Sequence, residues 1–206
     1  MHQTRQEIIK RLPLPRKGTK YVVRAASHRT SAVPILIAVR DMLHLAENTR
    51  EAKSMIHNKA LKINGRLVKD MHESIKLFNT IEADKVYRLS LLPTGKFTFV
   101  ETKEKDVRLC KIIGKTLTKG NTIQTHLHDG TNIVSKEAFA IGDSVYLDKD
   151  NKVKKHVALG KGKEGFVISG KYAGAQGTIS SITGKKITVS LKEGNAMLDE
   201  AAVIAL

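Results

Sequence analysis

One cysteine in 206 residues leaves nothing to pair with. Cys110 stands between Leu109 and Lys111 in a strand-like run, so a disulfide framework and a thiolate metal site are both excluded. A buried, inert thiol is the expectation. Long apolar runs are missing as well. A run such as Ile35 to Val39 behind Pro34 falls far short of the roughly 20 residues that a membrane-crossing helix needs. The opening Met1-His2-Gln3-Thr4-Arg5 lacks the apolar core of a secretory signal, which predicts a chain that stays in the cytoplasm. Helical periodicity of useful length is absent after His57. No Ser/His/Asp or Cys/His arrangement is visible, and no pair of carboxylates sits in an apolar context that would raise a pKa. The sequence therefore predicts no enzyme, no cofactor and no small-molecule substrate.

What the chain has in excess is positive charge. Thirty-six Lys and Arg stand against twenty Asp and Glu, giving a net +16 and a pI near 9.9. Such an imbalance points to a polyanionic partner, either nucleic acid or an anionic membrane surface, and the short apolar runs make the membrane the weaker reading. The charge is uneven. Residues 1–70 hold fifteen basic and five acidic side chains, a net +10, and the remaining 136 residues carry the other +6. The first third is the electrostatic footprint.

Two letter patterns fail on context. Gly160-Lys161-Gly162-Lys163-Glu164-Gly165 matches the dinucleotide fingerprint, which requires a helix opening at its glycines, but Phe166-Val167-Ile168 reads as a strand. Gly114-Lys115-Thr116 resembles the end of a phosphate-binding loop, yet Leu109 stands where that loop needs a glycine. His126, His128 and Asp129 raise the question of a metal. Residues two apart on a strand share a face, so both imidazoles would project together. Gln124 shares that face and Ile123 and Leu127 form the opposite one, so a solvated or RNA-facing polar surface is the preferred reading and no metal is expected.

Along the chain, residues 1–33 mix Pro13, Pro15 and Gly18 with scattered Arg and Lys. They read as an extended basic arm with at most a short helix near Glu7–Lys10, although Tyr21-Val22-Val23 suggests that the arm docks. From Pro34 the pattern turns helical: Ile35, Leu36, Val39, Met42, Leu43 and Ala46 form a stripe, with Arg40, Asp41, His44 and Glu47 facing away. Pro34 suits a first helical position. Asn48 or Thr49 then caps a second helix, with Glu51 in its first turn and Ala52, Met55 and Ile56 on its apolar face. Asn64-Gly65 between two short strand-like segments predicts a tight hairpin. A second hairpin is expected from Val86–Leu92 through Pro93-Thr94-Gly95 into Lys96–Val100. Further strands are expected at 108–113, 115–118, 122–128, 131–134 and 144–147, then near 167–169, 177–182, 186–191 and 201–204. The last group suits a small, strongly bent barrel.

Residues placed to meet RNA phosphates follow from this layout. They are Lys10, Arg11, Arg16, Lys17, Lys20, Arg24, His28 and Arg29 on the arm, Arg50 and Lys53 on the second helix, and Lys59, Lys62, Arg66 and Lys69 around the hairpin. Point charges on a compact unit can straddle phosphates of structured RNA without reading bases. In Gly170-Lys171-Tyr172-Ala173-Gly174-Ala175-Gln176-Gly177, glycines at intervals of four and three require a bend or a positive φ and expose amides beside Lys171 and Tyr172.

That glycine run resembles the KOW motif of ribosomal proteins and transcription elongation factors. The serial order of basic arm, two helices with an Asn-Gly hairpin, central strands and KOW segment resembles the archaeal and eukaryotic small-subunit ribosomal protein family S-four-e. The resemblance rests on Pro34 to Leu45 (PILIAVRDMLHL), Asn48 to Lys53, Ile63 to Arg66, Leu109 to Lys115, His128-Asp129-Gly130 and Gly142 to Val145, and it covers nearly the whole chain. The helix–helix–hairpin part is similar to the RNA-binding domain named for bacterial ribosomal protein S-four. Tryptophan is absent, although family members often carry one in the arm, and the basic tail of eukaryotic relatives is missing, so the size looks archaeal.

The resemblance implies an α+β, predominantly β protein. Its parts would be a basic N-terminal extension (1–33), a helix–helix–hairpin RNA-binding domain (34–92), a central β domain (93–157) and a C-terminal SH3-like KOW barrel (158–206). The implied role is binding small-subunit ribosomal RNA among neighbouring ribosomal proteins, without catalysis, in support of assembly and translation. Two other classes compete. Pseudouridine synthases carry similar helix–hairpin domains but need a large catalytic domain with an active Asp. A KOW-type transcription factor would not need the helix–hairpin unit.

Overall fold

The computed structural model describes residues 2–103, 107–118, 120, 122–191 and 194–206. Strands dominate, helices are few, and the chain divides into two compact units, residues 1–91 with 96–106 and residues 92–95 with 107–206.

In the first unit, β1 (His2–Thr4) pairs antiparallel with β2 (Tyr21–Val23). The intervening segment is not the extended arm that its composition suggests. Arg5 closes it, with Nε donating to the Thr19 carbonyl at 2.7 Å and Nη1 to the Pro15 carbonyl at 2.6 Å. One tight helical turn occupies Arg5–Glu7, starting two residues before the expected 7–10, and the Glu7 carboxylate accepts from Thr4 N–H at 3.1 Å. Leu12, Val22, Ala25, Ala32 and Val33 are buried, so the sparse apolar residues of this segment are the ones that fasten it. β3 (Ala32–Pro34) pairs with β6 (Ser74–Lys76), placing Pro34 at a strand end in extended conformation rather than inside a helix. Its missing N–H is tolerated on a two-stranded ribbon.

The first helix is α1 (Ile35–Ile37) continued by a wider π turn over Ala38–Met42, closed by Leu43 N–H on the Ala38 carbonyl at 2.9 Å. Ile35 through Val39 are each no more than 1% exposed, so this segment is enclosed on all sides instead of showing one apolar stripe. Arg40 pairs with Asp41 at 2.9 Å and donates to Thr49 Oγ1 at 3.3 Å, at the start of α2 (Thr49–His57). Asn48 caps α2 by accepting from Glu51 N–H at 3.0 Å, and Ala52 is buried.

The predicted hairpin is present as β4 (Lys62–Ile63) and β5 (Arg66–Leu67). Asn64 at φ 50° and Gly65 at φ 81° supply the two left-handed residues that a tight two-residue turn requires. With β7 (Thr80–Glu82), β8 (Val86–Leu91) and β9 (Phe97–Glu101) it forms an antiparallel sheet of order β5-β4-β7-β8-β9. The Asn64 side chain also accepts from Thr80 N–H at 2.9 Å, tying the hairpin turn to β7.

The second unit holds two five-stranded antiparallel sheets. The first contains β10 (Arg108–Thr118), β11 (Thr122–Leu127), β12 (Asn132–Ser135), β13 (Ser144–Leu147) and β14 (Val153–Val157), ordered β12-β11-β10-β13-β14. β10 is one strand of eleven residues, not two broken at Gly114; a register shift between Ile112 and Gly114 lets it pair with β13 first and β11 afterwards. Cys110, Ile112, Leu127, Phe139, Val145 and Leu147 form its core. The second sheet contains β15 (Glu164–Val167), β16 (Gln176–Thr183), β17 (Lys186–Leu191), β18 (Gly194–Asp199) and β19 (Val203–Ala205), ordered β18-β17-β16-β15-β19 over Ile179, Ile187, Val189 and Val203. Among the described residues, edge strands β18 and β19 do not pair with each other, so this is an open sheet and not a closed barrel.

Candidate nucleic-acid interface

The caps and turns above set the backbone of the helix–hairpin region, and its charges project from that frame. Arg50 and Lys53 stand exposed on α2, and Lys62 and Arg66 on β4 and β5. Lys59 follows α2 in left-handed conformation, φ 57°, and Lys69 follows β5. The structure brings three of these together. Lys53, Lys59 and Lys69 line one shallow depression of about 520 Å³ together with Ile56, Leu67, Met71 and the acidic Asp70. Arg66 forms an ion pair with Glu73, and the other Glu73 oxygen accepts from the backbone N–H of Lys69 at 2.7 Å and of Asp70 at 3.2 Å. That carboxylate fixes the geometry of two of the predicted cations.

The N-terminal cations separate into two kinds. Lys10, Arg16, Lys17, Lys20 and Arg29 are exposed, as is His28 at φ 51°. Lys20 Nζ lies 5.4 Å from the centre of the Tyr21 ring. Arg11 and Arg24 are half-buried, and their backbones are tied down. The Arg11 carbonyl accepts from Phe97 N–H at 2.8 Å, and the Arg24 carbonyl lies 3.0 Å from His72 Nδ1. These two contribute to seating the segment as well as to its charge.

Lys171 and Tyr172 lie in the second unit, in the turn between β15 and β16, with Lys171 Nζ 5.5 Å from the Tyr172 ring centre. Gly170 and Gly174 take φ 87° and 90°, while Gly177 sits in β16. A Cβ on Gly174 would run into the Leu92 carbonyl, and one on Gly177 into the Ser190 carbonyl. The glycine spacing thus serves close backbone approach as much as turning.

The remaining sequence candidates resolve into structure. His126 Nδ1 is 2.9 Å from Asn132 Oδ1 and its Nε2 is 2.9 Å from Thr116 Oγ1. His128 Nδ1 accepts from Lys111 N–H at 3.0 Å. Among the described residues no cluster of three His, Cys, Asp or Glu is arranged to hold a metal ion. Cys110 is fully buried, and burial, reinforced by the Asp129 carboxylate, pushes its thiol well above the ordinary range.

Three important residues escaped the sequence reading. Arg5 is the clamp of the N-terminal segment. Arg108 is buried against Asp129 at 3.4 Å and donates to Asn151 at 2.5 Å. Burial pushes the Asp129 carboxyl up, but hydroxyl donation from Thr131 and the Arg108 charge outweigh it and hold the group below its usual range. Lys111 is 3% exposed and donates to the Val203 carbonyl at 2.6 Å and to the Glu200 carbonyl. Burial lowers its pKa to about 8, against a smaller opposing pull from Glu200. Nothing local distinguishes Arg108 and Lys111 from surface cations.

Residues 83–153 match the ribosomal family S4e. The small ribosomal subunit protein eS4 of Archaeoglobus fulgidus is 33% identical over 187 residues, covering 88% of this chain and 80% of the relative. That of Methanococcus maripaludis is 32% identical over 202 residues, covering 88% and 83%. The crystal structure of the 30S ribosomal protein S4e from Thermoplasma acidophilum has the same fold, with a TM-score of 0.74 at 24% identity over 85% of this chain and 95% of the other.

Proposed function

The chain belongs to ribosomal family S4e, whose members are structural and not enzymatic, and we propose that it binds small-subunit ribosomal RNA chiefly through its first unit. The observation that carries this reading is the cationic rim of Lys53, Lys59 and Lys69 on a capped helix and tight hairpin. Exposed Lys10, Arg16, Lys17, Lys20 and Arg29 extend the same field along the N-terminal segment. Fixed cations of this kind neutralise phosphates without reading bases, which suits a structured RNA. The chain would act within the ribosome of the cytoplasm, beside neighbouring ribosomal proteins, in support of subunit assembly and translation. No helix of the described residues is long and apolar enough to cross a membrane.

The finer reading of the C-terminal sheet as a KOW-type, SH3-like element rests on the glycine turn between β15 and β16 and on the first strand lying between the second and the last. Lys171 and Tyr172 would then add one contact among several. The four-part division at residues 33, 92 and 157 is likewise the functional layout we propose.

Simultaneous Ala substitution of Arg16, Lys17, Arg24 and Arg29 should weaken binding to small-subunit RNA. The slope of log affinity against log salt should fall by several units, at about 0.7–0.9 per lost phosphate contact. An unchanged slope sinks the assignment of the N-terminal cations. Modified uridines appearing in RNA incubated with the protein would instead revive the pseudouridine synthase reading.

A further inference from the structure

The N-terminal segment, having folded back on itself, encloses a depression of about 600 Å³. Its walls are apolar at Ile9 and Leu14, and Lys10, Arg16 and Lys96 supply positive charge around it. Lys96 reaches it because Phe97 N–H bonds to the Arg11 carbonyl, which holds the start of β9 against the segment. Arg5 also lines the depression, and its guanidinium is immobilised by the Pro15 and Thr19 carbonyls and by Thr19 Oγ1 at 3.1 Å. With those bonds made, Arg5 presents a fixed plane instead of a swinging charge. An apolar slot with a fixed guanidinium plane and a cationic surround fits one chemical object well. That object is an unstacked nucleotide, with its base against apolar walls or the guanidinium plane and its phosphates on the lysines and Arg16.

We propose that this depression receives a single unpaired nucleotide of the bound RNA. The inference rests on the RNA-binding reading above and gives it a local element that responds to a base, not only to phosphate. It also separates the two grips by chemistry. The α2–hairpin rim acts through phosphate neutralisation, which salt weakens. The slot adds stacking and apolar contact, on which salt has little effect, to the phosphate contact made by Lys10, Arg16 and Lys96.

The test fills the slot without changing charge. Leu14→Trp in the full chain should lower affinity for small-subunit RNA about tenfold, with the salt slope lowered by no more than about one unit for the displaced nucleotide's phosphate. Chemical probing of the RNA 2′-hydroxyls should show one single-stranded nucleotide protected by the original chain and released in the variant. Far-ultraviolet circular dichroism checks that Leu14→Trp is folded. Photocrosslinking of the unsubstituted chain reads the same contact independently, with the crosslinked peptide expected within residues 5–16. Full affinity in folded Leu14→Trp, or crosslinks from this segment only to paired nucleotides, overturns the slot. Failure of the unsubstituted chain to bind small-subunit RNA at all overturns the RNA-binding reading itself.

Discussion

The two units differ in how many of their cations are internal: among the described residues the first buries Lys76, at 6% exposure, and the second buries both Arg108 and Lys111. The first holds twenty-one Lys and Arg against eleven Asp and Glu, a net +10, and most of its candidate contacts stand in solvent. The second holds fifteen against nine, a net +6, yet its Arg108 and Lys111 are buried to 6% and 3% exposure. An exposed lysine keeps its hydration and interacts cheaply with phosphate. A buried one loses hydration and persists only where carbonyls or a carboxylate replace the water. Net charge therefore overstates the second unit as an RNA surface, because part of it is internal framework.

The largest effect should come from removing the carboxylate beside a buried cation. Asp129→Ala leaves the buried Arg108 charge with only the neutral oxygens of Asn151 and Thr131 as acceptors, and removes the acceptor that holds Thr131 N–H at 2.9 Å and the Thr131 hydroxyl at 2.6 Å. The cost should be about 3–5 kcal/mol, read from chemical denaturation. Molecules that remain folded should bind RNA with unchanged salt slope. A loss below about 1 kcal/mol would mean that the pair is solvated and that the two units do not differ as argued.

Lys111 gives a second, smaller effect with a distinctive pH signature. Its folded pKa of about 8 lies below the ordinary 10.5, so between those values the unfolded chain holds a proton that the folded chain has released. Stability must then rise with pH across that window, by an amount on the order of 3 kcal/mol, and the penalty is fully present below pH 8. Lys111→Met removes the titration but strands the Val203 and Glu200 carbonyls, so its stability at neutral pH should shift by only about 1–3 kcal/mol. The difference between the two proteins across pH 8–10.5 isolates this group from every other alkaline titration. Parallel curves would refute the buried-cation account.

Much of the first unit was legible because its signals are local. Asn48 and Glu51 form a cap within one turn, and Asn64-Gly65 encodes its own hairpin. The fate of residues 1–33 was legible only at Tyr21-Val22-Val23, which forms β2; Arg5 reaches the Thr19 and Pro15 carbonyls ten and more residues away, and no periodicity announces such a bond. The enclosed Ile35–Val39 segment misled for a related reason: a helix covered on every side shows no polar face. Strands β14 and β18 escaped because Lys154-Lys155-His156 and Gly194-Asn195 look like loop, while their pairing to β13 and β17 supplies what propensity does not. For the candidate site, the residue types were readable and the grouping was not. The convergence of Lys53, Lys59 and Lys69 depends on a left-handed residue and a carboxylate, Glu73, far from the helix in sequence.

The smallest effect should come from stripping exposed charge off the second unit. Lys161, Lys171 and Lys186 are as exposed as Lys53, Lys59 and Lys69, so a count of charge alone predicts equal losses when either trio becomes Ala. The comparison of units predicts otherwise. Lys53, Lys59 and Lys69 converge on one depression and should engage adjacent phosphates together, lowering the salt slope by about two units. Lys171 is drawn toward the Tyr172 ring and forms no described cluster with Lys161 or Lys186, so the second trio should lower the slope by less than about one unit. Equal slopes would show that RNA contact is shared evenly, and that the fixed grouping on α2 and its hairpin confers no advantage over scattered surface charge.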